Sequence, residues 1–228
     1  MQRLATVSLS LLMLVLSMVE NAYAIGDQDA KMREVIDVLG AIGRIPENSI
    51  PPALLRNARG IAIIPSVVKV GLVIGGRYGK GVVSVRKSDG NWSNPLFLSV
   101  SGGSIGWQIG AQSTDVILVF KSRKSVDDIL TGKFTLGADA SVAAGPVGRK
   151  ASASTDFKMG SEIYSYSRSR GLFVGITLDG ARLKIEHKDN ASYYRSRSIR
   201  PAQIIAGNRI SVPESTTKLQ RILTRYAR

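Results

Sequence analysis

Gly60-Ile61-Ala62-Ile63-Ile64-Pro65-Ser66-Val67-Val68-Lys69-Val70-Gly71-Leu72-Val73-Ile74-Gly75-Gly76-Arg77-Tyr78-Gly79-Lys80-Gly81-Val82-Val83-Ser84-Val85-Arg86 is the stretch that decides the fold class. Short runs of β-branched residues are cut by glycine, and no run is long enough for a helix, so the reading is strands over 61–64, 70–78 and 82–86. The same pattern continues downstream at 96–100, 105–111 and 116–121. Ser88-Asp89-Gly90-Asn91 reads as a turn, and Asp179-Gly180 between 172–178 and 181–186 is a two-residue hairpin signal. An antiparallel sheet follows. Nineteen of the 23 glycines fall between Gly60 and Gly180, many inside strands, which predicts bulges and strong curvature.

Helices flank this core. Residues 29–43 place Met32, Val35, Ile36, Leu39 and Ile42 at helical spacing, with Asp29, Arg33, Glu34 and Asp37 opposite. The acidic and basic polar face suits a helix packed on the core better than one lying on a membrane. Pro51 and Pro52 open a short helix over 53–58. Residues 125–130 read as an internal helix with Ser125 as N-cap and Asp128 three residues on. Residues 214–227 form a basic amphipathic helix, with Leu219, Ile222, Leu223 and Tyr226 among Lys218, Arg221 and Arg225. The expected fold is α+β, with a strongly curved, mostly antiparallel sheet that could close as a barrel and whose concave side the N-terminal helices cover.

Composition narrows the function. The chain has 228 residues, 44% of them apolar, and no cysteine, which excludes disulfide frameworks, thiolate metal sites and cysteine nucleophiles. Residues 1–24 carry the parts of a secretory signal: Arg3, an apolar run over 4–19, and Ala22-Tyr23-Ala24. Export to the periplasm, or to the medium, is expected, with a mature single domain over 25–228. Within it, 25–58 reads as a helical part, 59–190 as a β-rich core and 191–228 as a basic extension. The formal charge of +14 is unevenly placed: ten Lys/Arg face seven Asp/Glu over 25–120, and twenty face nine over 121–228. Such a surface attracts anionic partners. Aromatics make up 6% and no girdles flank the strands, which argues against an outer-membrane barrel.

Catalytic motifs are scarce. Gly102-Gly103-Ser104-Ile105-Gly106 matches the G-x-S-x-G nucleophile elbow, with Asp115 or Asp179 and then His187 in the expected order, but the sequence continues as strand where the elbow needs a helix. Residues 75–81 and 145–150 are glycine-rich and basic, yet neither ends in Gly-Lys-Ser/Thr. They could still present backbone N–H groups and cations to a phosphate. No cofactor or metal is expected, and no basic-aromatic motif for nucleic acid appears.

Four blocks carry a family resemblance. They are Ala58-Arg59-Gly60-Ile61-Ala62-Ile63-Ile64-Pro65; residues 102–112, GGSIGWQIGAQ; residues 133–149, KFTLGADASVAAGPVGR; and residues 163–173, IYSYSRSRGLF. In this order they resemble the signature blocks of the SYLF-domain family, from about residue 30 to 194. The resemblance implies that Ser104 is a β-core serine. It also implies an anionic-lipid-binding β domain, since eukaryotic members bind phosphoinositide membranes and some bind actin filaments, while bacterial members are typically exported. The cations expected to bind lipid are Lys69, Arg77, Lys80, Lys133, Arg149, Lys150, Lys158, Arg168 and Arg170, chosen by charge and by nearness to these blocks. The expected role is a non-catalytic exported module in peripheral association with anionic phospholipid or lipid A phosphates. An envelope or stress-related module that binds protein or polysaccharide is the alternative, and a serine hydrolase using Ser104 the weaker one.

Overall fold

The computed structural model describes residues 27–42, 50–71, 74–105, 110–148, 160–169, 172–208 and 210–226. Among them are six helices: α1 (27–40), α2 (Pro52–Arg56), α3 (Arg123–Leu130), α4 (His187–Tyr193), α5 (Pro201–Ala206) and α6 (Glu214–Tyr226). Nine strands accompany them: β1 (Gly60–Gly71), β2 (Ile74–Val85), β3 (Leu96–Ile105), β4 (Gly110–Phe120), β5 (Lys133–Thr135), β6 (Val142–Ala144), β7 (Ile163–Ser169), β8 (Leu172–Gly175) and β9 (Arg182–Ile185). They form one sheet in the order β5-β9-β3-β2-β1-β4-β7-β6, with β8 on β7. Every pair is antiparallel except β6 with β7. The path ends at β5 and β6, so the sheet curls into a half-barrel and does not close.

The sheet has two unlike ends. Near Gly60, Val85 and Phe120 it is buried on both faces: Ile61, Ala62, Ile63 and Ile64 in β1 and Val116, Ile117, Leu118 and Val119 in β4 are all nearly inaccessible. Each valine, leucine or isoleucine side chain among them contributes about 1.5–3 kcal/mol when taken out of water. Asn190 of α4 clamps β3, accepting from Phe97 N–H at 2.9 Å and donating to Phe97 O at 3.1 Å, and on one face the Phe97 and Tyr193 rings pack tilted at 58° with centres 5.0 Å apart. Gly60 on the other face lies against Val126 of α3. Beyond Pro65 the sheet projects, and Val68, Val70 and Tyr78 stay exposed.

A bulge separates these ends. The β1–β2 register shifts between Ile63 and Val68 and the β1–β4 register between Ile64 and Val67, with Ser66 at φ 52°. Asp115 supports it: its Oδ1 accepts from the Ser66 N–H at 3.1 Å, and its Oδ2 from Arg168 Nε at 2.7 Å.

Several sequence expectations are redrawn. The run 70–78 is not one strand: β1 ends at Gly71, β2 begins at Ile74 antiparallel to it, and Gly71 pairs with Gly75; residues 72 and 73 lie outside the described residues. Run 105–111 is divided between β3 and β4, which β2 and β1 separate in the sheet; residues 106–109 lie outside the described residues. Asp179-Gly180 does turn, with Gly180 at φ 76°, but it closes no hairpin. β8 pairs with β7, whereas β9 pairs with β3 and β5, so this turn carries the chain from one side of the sheet to the other.

Helix α3 starts earlier than expected. Its cap is Ser122, whose Oγ accepts from the Ser125 N–H at 3.3 Å, because Ser125 lies on the same buried face as Val126 and Ile129. The N-terminal helix follows its pattern: Met32, Val35, Ile36, Leu39 and Ile42 are all in the core, and Arg33, Glu34 and Asp37 are exposed. The C-terminal helix likewise buries Leu219 and Leu223 and exposes Lys218, Arg221 and Arg225.

Candidate functional site

Of the expected lipid cations, Lys69 and Arg77 come together. They are directly opposed in the β1–β2 ladder on the projecting half of the sheet. Like charges facing each other across an antiparallel pair repel, so an anion between them is favoured. Burial lowers the Arg77 pKa from the usual arginine value, and its Nε has no hydrogen-bond partner among the described residues. One residue along, Tyr78 opposes Val68 on the other face, with Ser101 and then Arg182 continuing the row. Val68, Val70 and Tyr78 are 42%, 56% and 50% exposed, and Leu172 and Val174 add exposed apolar surface on β8.

The other expected cations are placed differently. Lys80 Nζ is 2.9 Å from Asp189 Oδ2, and this hydrogen bond first, then the Asp189 charge, raises its pKa against the opposing effect of burial. Arg168 is engaged by Asp115 beneath the bulge. Lys133 is in register with Lys184 in the β5–β9 pair. Arg149, Lys150, Lys158 and Arg170 lie outside the described residues, as does residues 1–24, the expected signal.

Ser104 and His187 are not brought together. Ser104 pairs with Gly75 inside β3, and Glu186 N–H donates to Phe97 O, which seats exposed His187 beside Phe97. Seven residues of extended strand, about 23 Å, separate those two levels.

A second cluster had not been singled out in the sequence. At the buried end of the sheet, Arg59, Arg86, Lys87 and Arg123 line an open cleft of about 850 Å³, walled by Leu130 of α3 and by Ala202, Ile205 and Ala206 of α5. Backbone pairing positions it: Arg59 N–H donates to Phe120 O at 2.7 Å, and Arg86 N–H to Arg59 O at 2.8 Å. The start of β1 and the ends of β2 and β4 therefore meet: Arg59 immediately precedes β1, Arg86 immediately follows β2, and Arg123 opens α3 after β4. The sequence shows a cation beside each of these strand ends, but only the strand order brings them together. The Arg86 guanidinium sits 4.9 Å from the centre of the Trp92 ring, and Arg123 Nη1 donates to Arg86 O at 3.0 Å. Burial, and then the Arg59 charge, lower the Arg86 pKa.

Comparison with known proteins agrees with the blocks in the sequence. A family model described as Ysc84, Las17-binding protein actin regulator, matches residues 101–226. Protein YSC84 of Saccharomyces cerevisiae is 36% identical over 177 residues, 76% of this chain and 37% of the relative. LAS seventeen-binding protein 3 of the same species is 34% identical over 177 residues, 76% of this chain and 38% of its own length. SH3 domain-containing YSC84-like protein 1 of Xenopus laevis is 32% identical over 182 residues, covering 79% of this chain and 54% of that protein. This chain thus spans between about a third and just over half of these relatives. With more than half of its residues inside one family model and its signature blocks in order along the chain, the chain belongs to the Ysc84 family, the SYLF-domain proteins.

Proposed function

We propose that this protein is a non-catalytic module that associates peripherally with anionic membrane surfaces through the projecting end of its sheet. The observation that carries this reading is the opposed Lys69–Arg77 pair, with exposed Val68, Val70 and Tyr78 on the other face of the same projecting end. Cations draw the module to anionic head groups, and the exposed apolar side chains at the same end of the sheet suit the head-group boundary. The apolar face of α1 is buried in the core, so insertion of Met32, Ile36 and Leu39 would require that helix to leave the fold. Phosphatidylglycerol, cardiolipin and lipid A phosphates are ligands of suitable charge.

Cosedimentation with phosphatidylglycerol vesicles tests this. Binding is expected at 0.1 M salt and should weaken sharply at 1 M, as the screening length falls from about 10 Å to about 3 Å. Each cation near an anionic surface is worth on the order of 1 kcal/mol, so Lys69→Gln with Arg77→Gln should weaken binding about 30-fold. Binding that ignores both salt and the double substitution would reject the reading. A protein ligand is the second reading, favoured by the binding activity in the name of LAS seventeen-binding protein 3. It predicts no pelleting with vesicles of any charge.

The proposed setting is outside the cytoplasm, periplasmic or secreted, on the strength of Arg3, the apolar run and Ala22-Tyr23-Ala24. N-terminal sequencing of the protein from its native host is expected to begin at Ile25. Finding Met1 on cytoplasmic material would overturn it.

A further inference from the structure

We propose that the cleft between the start of β1, the end of β2, α3 and α5 binds a phosphate monoester carried on an apolar body. It lies at the opposite end of the sheet from Lys69 and Arg77, so the inference does not rest on the membrane reading.

The charges of the cleft are unequally answered. Lys87 Nζ is 3.2 Å from Asp89 and Arg123 Nε is 3.1 Å from Asp127, so these two cations have acidic neighbours. Arg59 and Arg86 have no carboxylate partner among the described residues. They are held close by the backbone ladder, and Nε and Nη2 of Arg86 are buried without an acceptor among the described residues. Unsatisfied buried donors are costly, and on a guanidinium more so. The cation–π contact of the Arg86 guanidinium with the Trp92 ring, 4.9 Å from its centre, restrains the side chain at the cleft. Two guanidinium groups with free donors and no acid between them match the two charges and three terminal oxygens of a phosphate monoester.

The rest of the cleft selects the body of the ligand. Leu130, Ala202, Ile205 and Ala206 present hydrocarbon, not further donors, beside the cations. An inorganic ion would leave this wall in contact with water. An alkyl or acyl chain attached to the phosphate would cover it, with each buried methylene adding to affinity. A cleft of about 850 Å³ is large enough for such a body.

Isothermal titration calorimetry of the full chain tests the site with three probes: inorganic phosphate, n-hexyl phosphate and dihexanoylphosphatidic acid below its micelle concentration. Hexyl phosphate is expected to bind at least about tenfold more tightly than inorganic phosphate. If the phosphatidic acid binds at least as tightly, the natural source is a lipid head group. If only hexyl phosphate gains, it is a soluble ester. Arg86→Gln should weaken hexyl phosphate about 30-fold. Because Arg86 also packs on Trp92, exposed Arg59→Gln serves as the second variant, with near-UV circular dichroism confirming that each is folded. In a Lys69→Gln, Arg77→Gln background the loss of hexyl phosphate binding on Arg86→Gln should persist, which keeps this test separate from the vesicle one. The inference is overturned if no probe binds, if hexyl phosphate binds no better than inorganic phosphate, or if both folded cleft variants keep the parent affinity.

Discussion

Gly81→Ala should lower the stability of the domain by at least about 3 kcal/mol, a fall of roughly 6–12 °C in melting temperature for a chain of this size. Gly81 lies in β2 where the β1 bulge folds over it, and a Cβ there would overlap the Ile63 carbonyl oxygen and crowd the Ile64 Cα. Both obstacles are backbone, so no rotamer change relieves them. Either β1 moves away from β2 or the bulge flattens, and flattening would shift every residue beyond it to the opposite face. Gly76→Ala is the control, since a Cβ at that position of the same strand meets nothing within 4 Å. Thermal unfolding of the pair followed by circular dichroism checks the prediction. Equal midpoints for the two variants would falsify the close approach as the reason for glycine at 81.

Asp115→Ala is expected to cost about 3 kcal/mol, the lower end of the range for breaking a buried ion pair from one side, and Arg168→Gln about 2 kcal/mol, less because glutamine keeps a donor for Asp115. The side chains of Arg168 and Asp115 are only 24% and 16% exposed. Loss of the carboxylate leaves the Arg168 charge without its partner and also releases the Ser66 N–H, whose left-handed conformation at the bulge is held by that bond. Arg168 was expected among the lipid cations, and its stability deficit must therefore be known before any change in vesicle binding is ascribed to lost charge. Denaturant unfolding of Asp115→Ala, Arg168→Gln and their combination gives the coupling between them. A coupling above about 0.5 kcal/mol is expected for groups in contact, and simple additivity would show that the bridge does not support the bulge.

The helices were legible because each is a local pattern. The apolar residues 32, 35, 36, 39 and 42 had only to find one hydrophobic surface, and they lie in the core with the acidic and basic residues outward. The turn at Ser88-Asp89-Gly90-Asn91 was equally local: Asn91 N–H donates to Asp89 Oδ1 at 2.9 Å, and Gly90 takes φ 82°. The internal helix shows the limit of such signals. Ser122 and Ser125 both suit a cap by residue type, and burial of the Ser125 side chain decided between them.

Sequence alone determined that this chain is an α+β protein with a glycine-cut, curved sheet, that its charge is strongly positive, and to which family it belongs. Each follows from residue type and short-range spacing, which dictate local conformation whatever the partner. Only the tertiary structure decided which strands meet. Asp179-Gly180 turns as its residues require, yet the flanking segments pair with β7 on one side and with β3 and β5 on the other, since pairing is won by burial over the whole sheet. The same long-range order fixed the sites. Lys69 and Arg77 oppose each other because β1 and β2 pair antiparallel in that register, and Arg59, Arg86 and Arg123 share one cleft because the start of β1, the end of β2 and the start of α3 coincide. Contacts between residues 27 and 37 positions apart leave no trace in the neighbourhood of either partner, and register across the sheet is what makes them.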